Sequence, residues 1–165
     1  MKRSQLSSTH TLAVLVENKA GVLARVAGLF ARRGFNIESL AVAPTDERFS
    51  RITIVIDAES APLDQIMKQL DKLINVVDIQ TLPPESSALR EMVLVRLELE
   101  TDDHIDDVLQ LVTGFSASVL RVRGKQMMIS LSSRPHELDA FLDKLQPFGV
   151  AELQRTGAIA IPGIA

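Results

Sequence analysis

The chain has no cysteine, no tryptophan and no tyrosine, and its apolar rings are six phenylalanines. Without cysteine there is no disulfide, thiolate nucleophile or thiolate metal ligand, a usage that fits a reducing cytoplasm. Few rings leave no stacking platform for single-stranded nucleic acid. Net charge is -3 over 165 residues, so no basic field draws nucleic acid or an anionic membrane. No apolar run reaches the roughly 18 residues of a spanning helix. Met1 to Thr9 is polar, without the apolar region of a signal peptide, so a cytoplasmic protein is expected. The phosphate-cradling patterns GxxxxGKS and GxGxxG are missing too.

What is present is a repeated order of elements. "HTLAVLVE", His10 to Glu17, is β-branched and partly alternating, the pattern of a strand. Val22, Leu23, Val26, Leu29 and Phe30 follow at helical spacing. Gly34 ends that helix, with Arg32 and Arg33 in its last turn. Asn36 to Ala43 and Arg51 to Asp57 read as strands joined by Pro44-Thr45-Asp46-Glu47, an antiparallel hairpin. Leu63, Ile66, Met67, Leu70 and Leu73 predict a second helix, with Pro62 in position for its first turn, and Val76 to Leu82 a fourth strand. Pro83-Pro84-Glu85-Ser86-Ser87 reads as a linker. The order then recurs: a strand over Arg90 to Glu100, a helix marked by Ile105, Val108, Leu109, Val112 and Phe115, strands over 118–122 and 126–131, a helix marked by Leu138, Phe141, Leu142 and Leu145, and a strand over 150–155.

The fold class is therefore α+β, with two consecutive ferredoxin-like βαββαβ domains. The expected boundaries are 9–82 for the first domain, 83–89 for a linker and 90–165 for the second. Each sheet has helices on one face and nothing in sequence to cover the other. Apolar residues on both sides of the strands, such as Leu12 and Val14 against Ala13 and Leu15, point to a homodimer.

The candidates for chemistry are few. His10, His104 and His136 show no metal-ligand spacing. Ser133 and His136 lack an orienting acid and an oxyanion loop. "TDDHIDD", Thr101 to Asp107, reads as acids matching a helix dipole; an enzyme using a metal there is the rival reading, and the run lacks the glycine and distal glutamate of a calcium loop.

The stretch "VENKAGVLARVAGLFARRGFNIESL" is more informative. Asn18-Lys19-Ala20-Gly21 joins strand to helix, and the plain reading is a capped helix start with Asn18 as N-cap. The same geometry suits a carboxylate, because a helix N-terminus offers unpaired N–H groups and a glycine lets a ligand approach. Asn18 and Asn36 can each donate and accept, so they suit an amino acid's carboxylate and ammonium. Val22, Leu23 and Ile37 would wall an aliphatic side chain. Nothing in this set breaks bonds; it binds.

Three linked pieces, "EN-x-x-G-x-L-x-RV-x-x-LF-x-RRG", "NIESL-x-V-x-PT" and "QL-x-KL", carry a resemblance. They resemble the amino-terminal ACT domain of the small-subunit family of acetohydroxyacid synthase, also called acetolactate synthase. The likeness is close over about eighty residues and continues more loosely through "REMVLVRL" and "KQMMISLSSRPHELDAFLDKL". It implies a regulatory subunit without catalysis of its own, in branched-chain amino acid biosynthesis. It implies a catalytic large-subunit partner that carries thiamine diphosphate, Mg²⁺ and FAD, this chain holding none of them. It implies feedback inhibition by valine, bound between the ACT domains of a homodimer. By that resemblance Asn18, Lys19, Ala20, Gly21, Val22 and Leu23 of one subunit meet Asn36 and Ile37 of the other. A free-standing ACT-type amino-acid sensor acting on another partner is the alternative.

Overall fold

The computed structural model describes residues 9–57, 62–101 and 103–164. It divides into two compact units. The first begins with β1 (Thr9–Glu17), α1 (Val22–Arg33), β2 (Ile37–Pro44), β3 (Phe49–Asp57), α2 (Leu63–Leu70) and β4 (Val76–Thr81). Its sheet runs β2-β3-β1-β4, every pair antiparallel. The hairpin read from the turn residues is β2–β3, and Asp46 closes it by accepting the N–H groups of Arg48 and Phe49 at 2.7 and 2.9 Å.

Alternation decides the core. Leu12, Val14 and Val16 of β1 and Ile52, Ile54 and Ile56 of β3 point to the helices. There they pack on Val22, Val26, Leu29 and Phe30 of α1 and on Ile66 and Leu70 of α2. Each such side chain, fully buried, contributes about 1.5–3 kcal/mol. The second helix is shorter than its apolar spacing suggests. It stops at Leu70, and Leu73 closes a tight turn by donating to the Leu70 carbonyl.

The second unit contains, from Arg90 onward, the greater part of β5 (Ser87–Glu98), then α3 (Asp103–Gly114), β6 (Ser118–Arg123), β7 (Gln126–Ser133), α4 (Pro135–Leu145) and β8 (Val150–Arg155). Its strand order, β6-β7-β5-β8, repeats that of the first. Val93, Val95 and Leu97 of β5 face Met127, Ile129 and Leu131 of β7, and beneath them lie Val108, Leu138 and Phe141.

Two expectations change here. Residues 83–89 are not an open linker: Pro84–Ser86 forms a 3₁₀ turn, and Ser87 already starts β5. The second domain does not run to residue 165 either. From Ala158 the chain belongs to the first unit, where Ile159–Pro162 forms β9. The cause is local: the Ala158 N–H donates to Ser39 Oγ at 2.8 Å, Gly163 N–H donates to the Ser86 carbonyl at 2.7 Å, and Ala160 packs with Ala13 and Leu82. The face of the first sheet that had no cover in sequence is thus partly covered by the chain's own end.

Candidate functional site

The site candidates cluster where β1 hands over to α1. Gly21 stands immediately before the helix with φ +81°, a left-handed conformation that costs a residue with a Cβ about 1–2 kcal/mol. Nothing lies within 4 Å of where its Cβ would be, so backbone conformation, not crowding, selects glycine. Asn18 is not the N-cap. No side chain caps α1, and Asn18 instead donates its N–H to the Arg48 carbonyl at 2.7 Å, leaving its exposed amide free of the helix. Lys19 donates its N–H to the Glu17 carbonyl at 2.9 Å and its ammonium to the Glu17 carboxylate at 3.0 Å. Ala20 and Gly21 are exposed.

Val22 N–H and Arg25 N–H are taken by the carbonyls of Lys19 and Gly21, at 3.3 and 3.1 Å. The N–H groups of Gly21, Leu23 and Ala24 make no hydrogen bond among the described residues. These donors, at the positive end of a twelve-residue helix, suit an anion. Of the apolar wall, only part is available. Val22 is 4% exposed and belongs to the core, because the first turn of α1 points it at β1; Leu23 is 42% exposed and Ile37 is half-buried.

Behind the loop lies Asn75, on the turn between α2 and β4, a residue the sequence reading passed over. It is 8% exposed. Its carbonyl accepts the Glu17 N–H at 2.9 Å, its amide nitrogen donates to the Glu17 carboxylate at 2.5 Å, and its amide oxygen accepts from the Arg25 guanidinium. The Asn75 bond first, and Lys19 second, hold the Glu17 carboxyl below the usual carboxylate range.

Asn36 and Ile37 are elsewhere. Asn36 is exposed and donates its amide to Glu38. Ile37 pairs with Ile56, and Ile56 pairs with His10. Glu17 pairs with Phe49 at the opposite end of the same strands. The seven steps from His10 to Glu17 span about 23 Å at roughly 3.3 Å each. One chain does not bring Asn36 to the Asn18 loop.

The other candidates form no reaction centre. Ser133 donates its hydroxyl to Glu137, not to His136. His104 packs edge-on against Phe148, ring centroids 5.5 Å apart, while Asp102 lies outside the described residues. Among the described residues no three His, Asp or Glu side chains converge as metal ligands, and no helix is long and apolar enough to cross a membrane.

Both halves of the chain match known families. Residues 12–78 match the AHAS small subunit-like ACT domain, and residues 90–163 match the family "Small subunit of acetolactate synthase". The acetolactate synthase small subunit of Mycolicibacterium smegmatis is 43% identical over 154 residues, 93% of this chain and 90% of that one. The probable acetolactate synthase small subunit of Archaeoglobus fulgidus is 42% identical over 153 residues, covering 92% and 95%. The crystal structure of the acetolactate synthase small subunit of Thermotoga maritima superposes with a TM-score of 0.87 at 33% identity, covering 95% of this chain and 98% of that one. Its two βαββαβ units and their sequences place the chain in the acetolactate synthase small-subunit family.

Proposed function

We propose that this chain is a regulatory subunit that activates the catalytic large subunit of acetolactate synthase and carries feedback inhibition by valine. Valine sits between the ACT domains of two copies. The loop from Asn18 to Leu23 of one copy takes the carboxylate on its free N–H groups. Asn36 of the other orients the ammonium, and Leu23 and Ile37 hold the side chain. The bond-making chemistry, with its thiamine diphosphate, Mg²⁺ and FAD, belongs to the large subunit.

The observation that carries this reading is the separation of Asn18 from Asn36 along one sheet. β2 is an edge strand running from the His10 level at Ile37 to the Val16 level at Pro44. Pairing β2 antiparallel with the β2 of a second copy, about a two-fold axis, reverses it end for end. Asn36 and Ile37 of that copy then arrive at the level of the first copy's loop. A two-fold dimer completes two equivalent sites, each incomplete in the single chain.

Feedback follows if valine favours the dimer arrangement that couples less productively to the large subunit. A coupling of about 1–3 kcal/mol is sufficient. It arises only from a difference in valine affinity between the two arrangements.

Two measurements test this. Thermal unfolding against a panel of free amino acids should show stabilisation by valine, about 2.7 kcal/mol at a hundred times its dissociation constant. Reconstitution with a large subunit should show activation without valine and loss of that activation with it. Absence of activation in the reconstituted enzyme overturns the regulatory reading; activation that valine leaves untouched overturns the feedback site.

A further inference from the structure

The turn between α2 and β4 is remote in sequence from the effector loop, yet one of its residues holds both ends of that loop. Asn75 grips Glu17, the last residue of β1, twice: backbone carbonyl to backbone N–H at 2.9 Å, and amide nitrogen to carboxylate at 2.5 Å. With its remaining acceptor it takes the guanidinium of Arg25, in the first turn of α1. Two further bonds close the circuit. The other Glu17 oxygen takes Lys19 Nζ at 3.0 Å, and Arg25 N–H donates to the Gly21 carbonyl at 3.1 Å. Everything from Glu17 to Arg25 is therefore spanned by a single side chain that is nearly buried.

We infer that Asn75 is a positioning residue for the amino-acid site, fixing the distance between the end of β1 and the start of α1 and hence the aim of the free N–H groups at Gly21, Leu23 and Ala24. The inference rests on the proposed effector site. The chemistry explains the residue type. The position needs one donor toward a carboxylate and one acceptor toward a guanidinium, side by side and without charge, and an amide supplies both. Aspartate keeps the acceptor but sets a second carboxylate against Glu17. Leucine loses both bonds.

The same chemistry provides the test. Asn75→Asp breaks the donor half of the staple. Adding Glu17→Gln to Asn75→Asp restores it with donor and acceptor exchanged, since the new amide donates to the new carboxylate while Arg25 keeps its acceptor. Amide hydrogen exchange in the ligand-free protein is read at Val22 and Arg25, whose N–H groups bond across the loop. Ile129, in the other unit, is the internal control. Valine affinity is read by calorimetry on the same proteins.

In Asn75→Asp, exchange at Val22 and Arg25 is expected to quicken and valine affinity to fall, each about tenfold, the scale of one hydrogen bond to a charged group. Ile129 should be unchanged, and the double variant should recover both properties. Unchanged exchange at Val22 and Arg25 overturns the inference whether or not valine binds. Quickened exchange with unchanged valine affinity overturns it as well. If exchange responds and recovers while the wild-type chain binds no amino acid, the loop staple stands and the effector reading falls.

Discussion

Asn18 and Asn36, the two amides that bracket the first helix in sequence, stand beyond opposite ends of the about 23 Å that β1 runs from His10 to Glu17. That separation sets the first prediction. In a mixture of Asn18→Ala and Asn36→Ala chains, each homodimer has two damaged sites. Each mixed dimer has one site with both substitutions and one with neither. Random exchange of subunits should therefore restore about a quarter of the valine sites, since half the dimers are mixed and each holds two sites. Calorimetric titration of the re-equilibrated mixture reads the fraction. No recovery would mean that both asparagines serve a site within one chain, or none.

Gly21→Asp should abolish valine sensitivity and leave activation intact. The new carboxylate faces the place proposed for the effector's own, and the left-handed φ of +81° adds strain of about 1–2 kcal/mol in a fold that otherwise has room for the side chain. Assay of the reconstituted synthase with and without valine decides it. Wild-type sensitivity in this variant removes Gly21 from the site.

Arg155 joins the second unit together from one edge. Its guanidinium bonds the Glu91 carboxylate at 2.7 and 3.1 Å and Asp139 at 2.6 Å, and the Glu91 side chain has no solvent exposure. Burial opposes the charge on Arg155, but the bonds to Glu91 and Asp139 prevail and hold its pKa above the usual arginine value. Arg155→Leu should destabilise the second unit by about 3–5 kcal/mol, because a buried carboxylate loses a two-bond counter-charge. Replacing Glu91 and Arg155 together by leucine should recover much of that loss. Urea unfolding followed at the amides of Val95 and Ile129 measures both.

The start of α4 provides a pH dependence. Glu137 accepts the Ser133 hydroxyl and, at 3.2 Å, the Arg134 N–H; these two bonds, in that order, hold its carboxyl below the ordinary range. A carboxyl depressed by folding stabilises above its unfolded value of about 4.3, and that contribution is lost as pH falls through the folded value. Ser133→Ala should raise the Glu137 pKa and make stability less steep in acid. Carboxyl carbon titration by NMR gives the shift directly, and an unchanged value would show that the serine bond is not what lowers it.

Much of this architecture is legible in the sequence because its signals are local. Helical spacing in Val22, Val26, Leu29 and Phe30, and the hairpin residues Pro44 to Glu47, act within a few positions, and each element formed where those residues stand. The missed features act over distance. The sequence pattern gives a last strand over 150–155, yet Ile159–Pro162 forms β9, with Ala160 buried against Ala13 and Leu82. Asn75 looks like turn chemistry; its partners Glu17 and Arg25 are about fifty residues away or more, and no spacing rule links them. Val22 reads as a pocket wall because spacing identifies an apolar face but not how deep each member sits.

The return of β9 to the first unit has a consequence for synthesis. A ribosome delivers β1 to β4 well before it delivers Ala158 and Ala160, so the nascent first unit waits with Ala13 and Leu82 uncovered while the whole second unit is made. In the second unit β5 to β8 and their two helices follow one another without interruption. The first unit reaches its final form only after β9 has emerged.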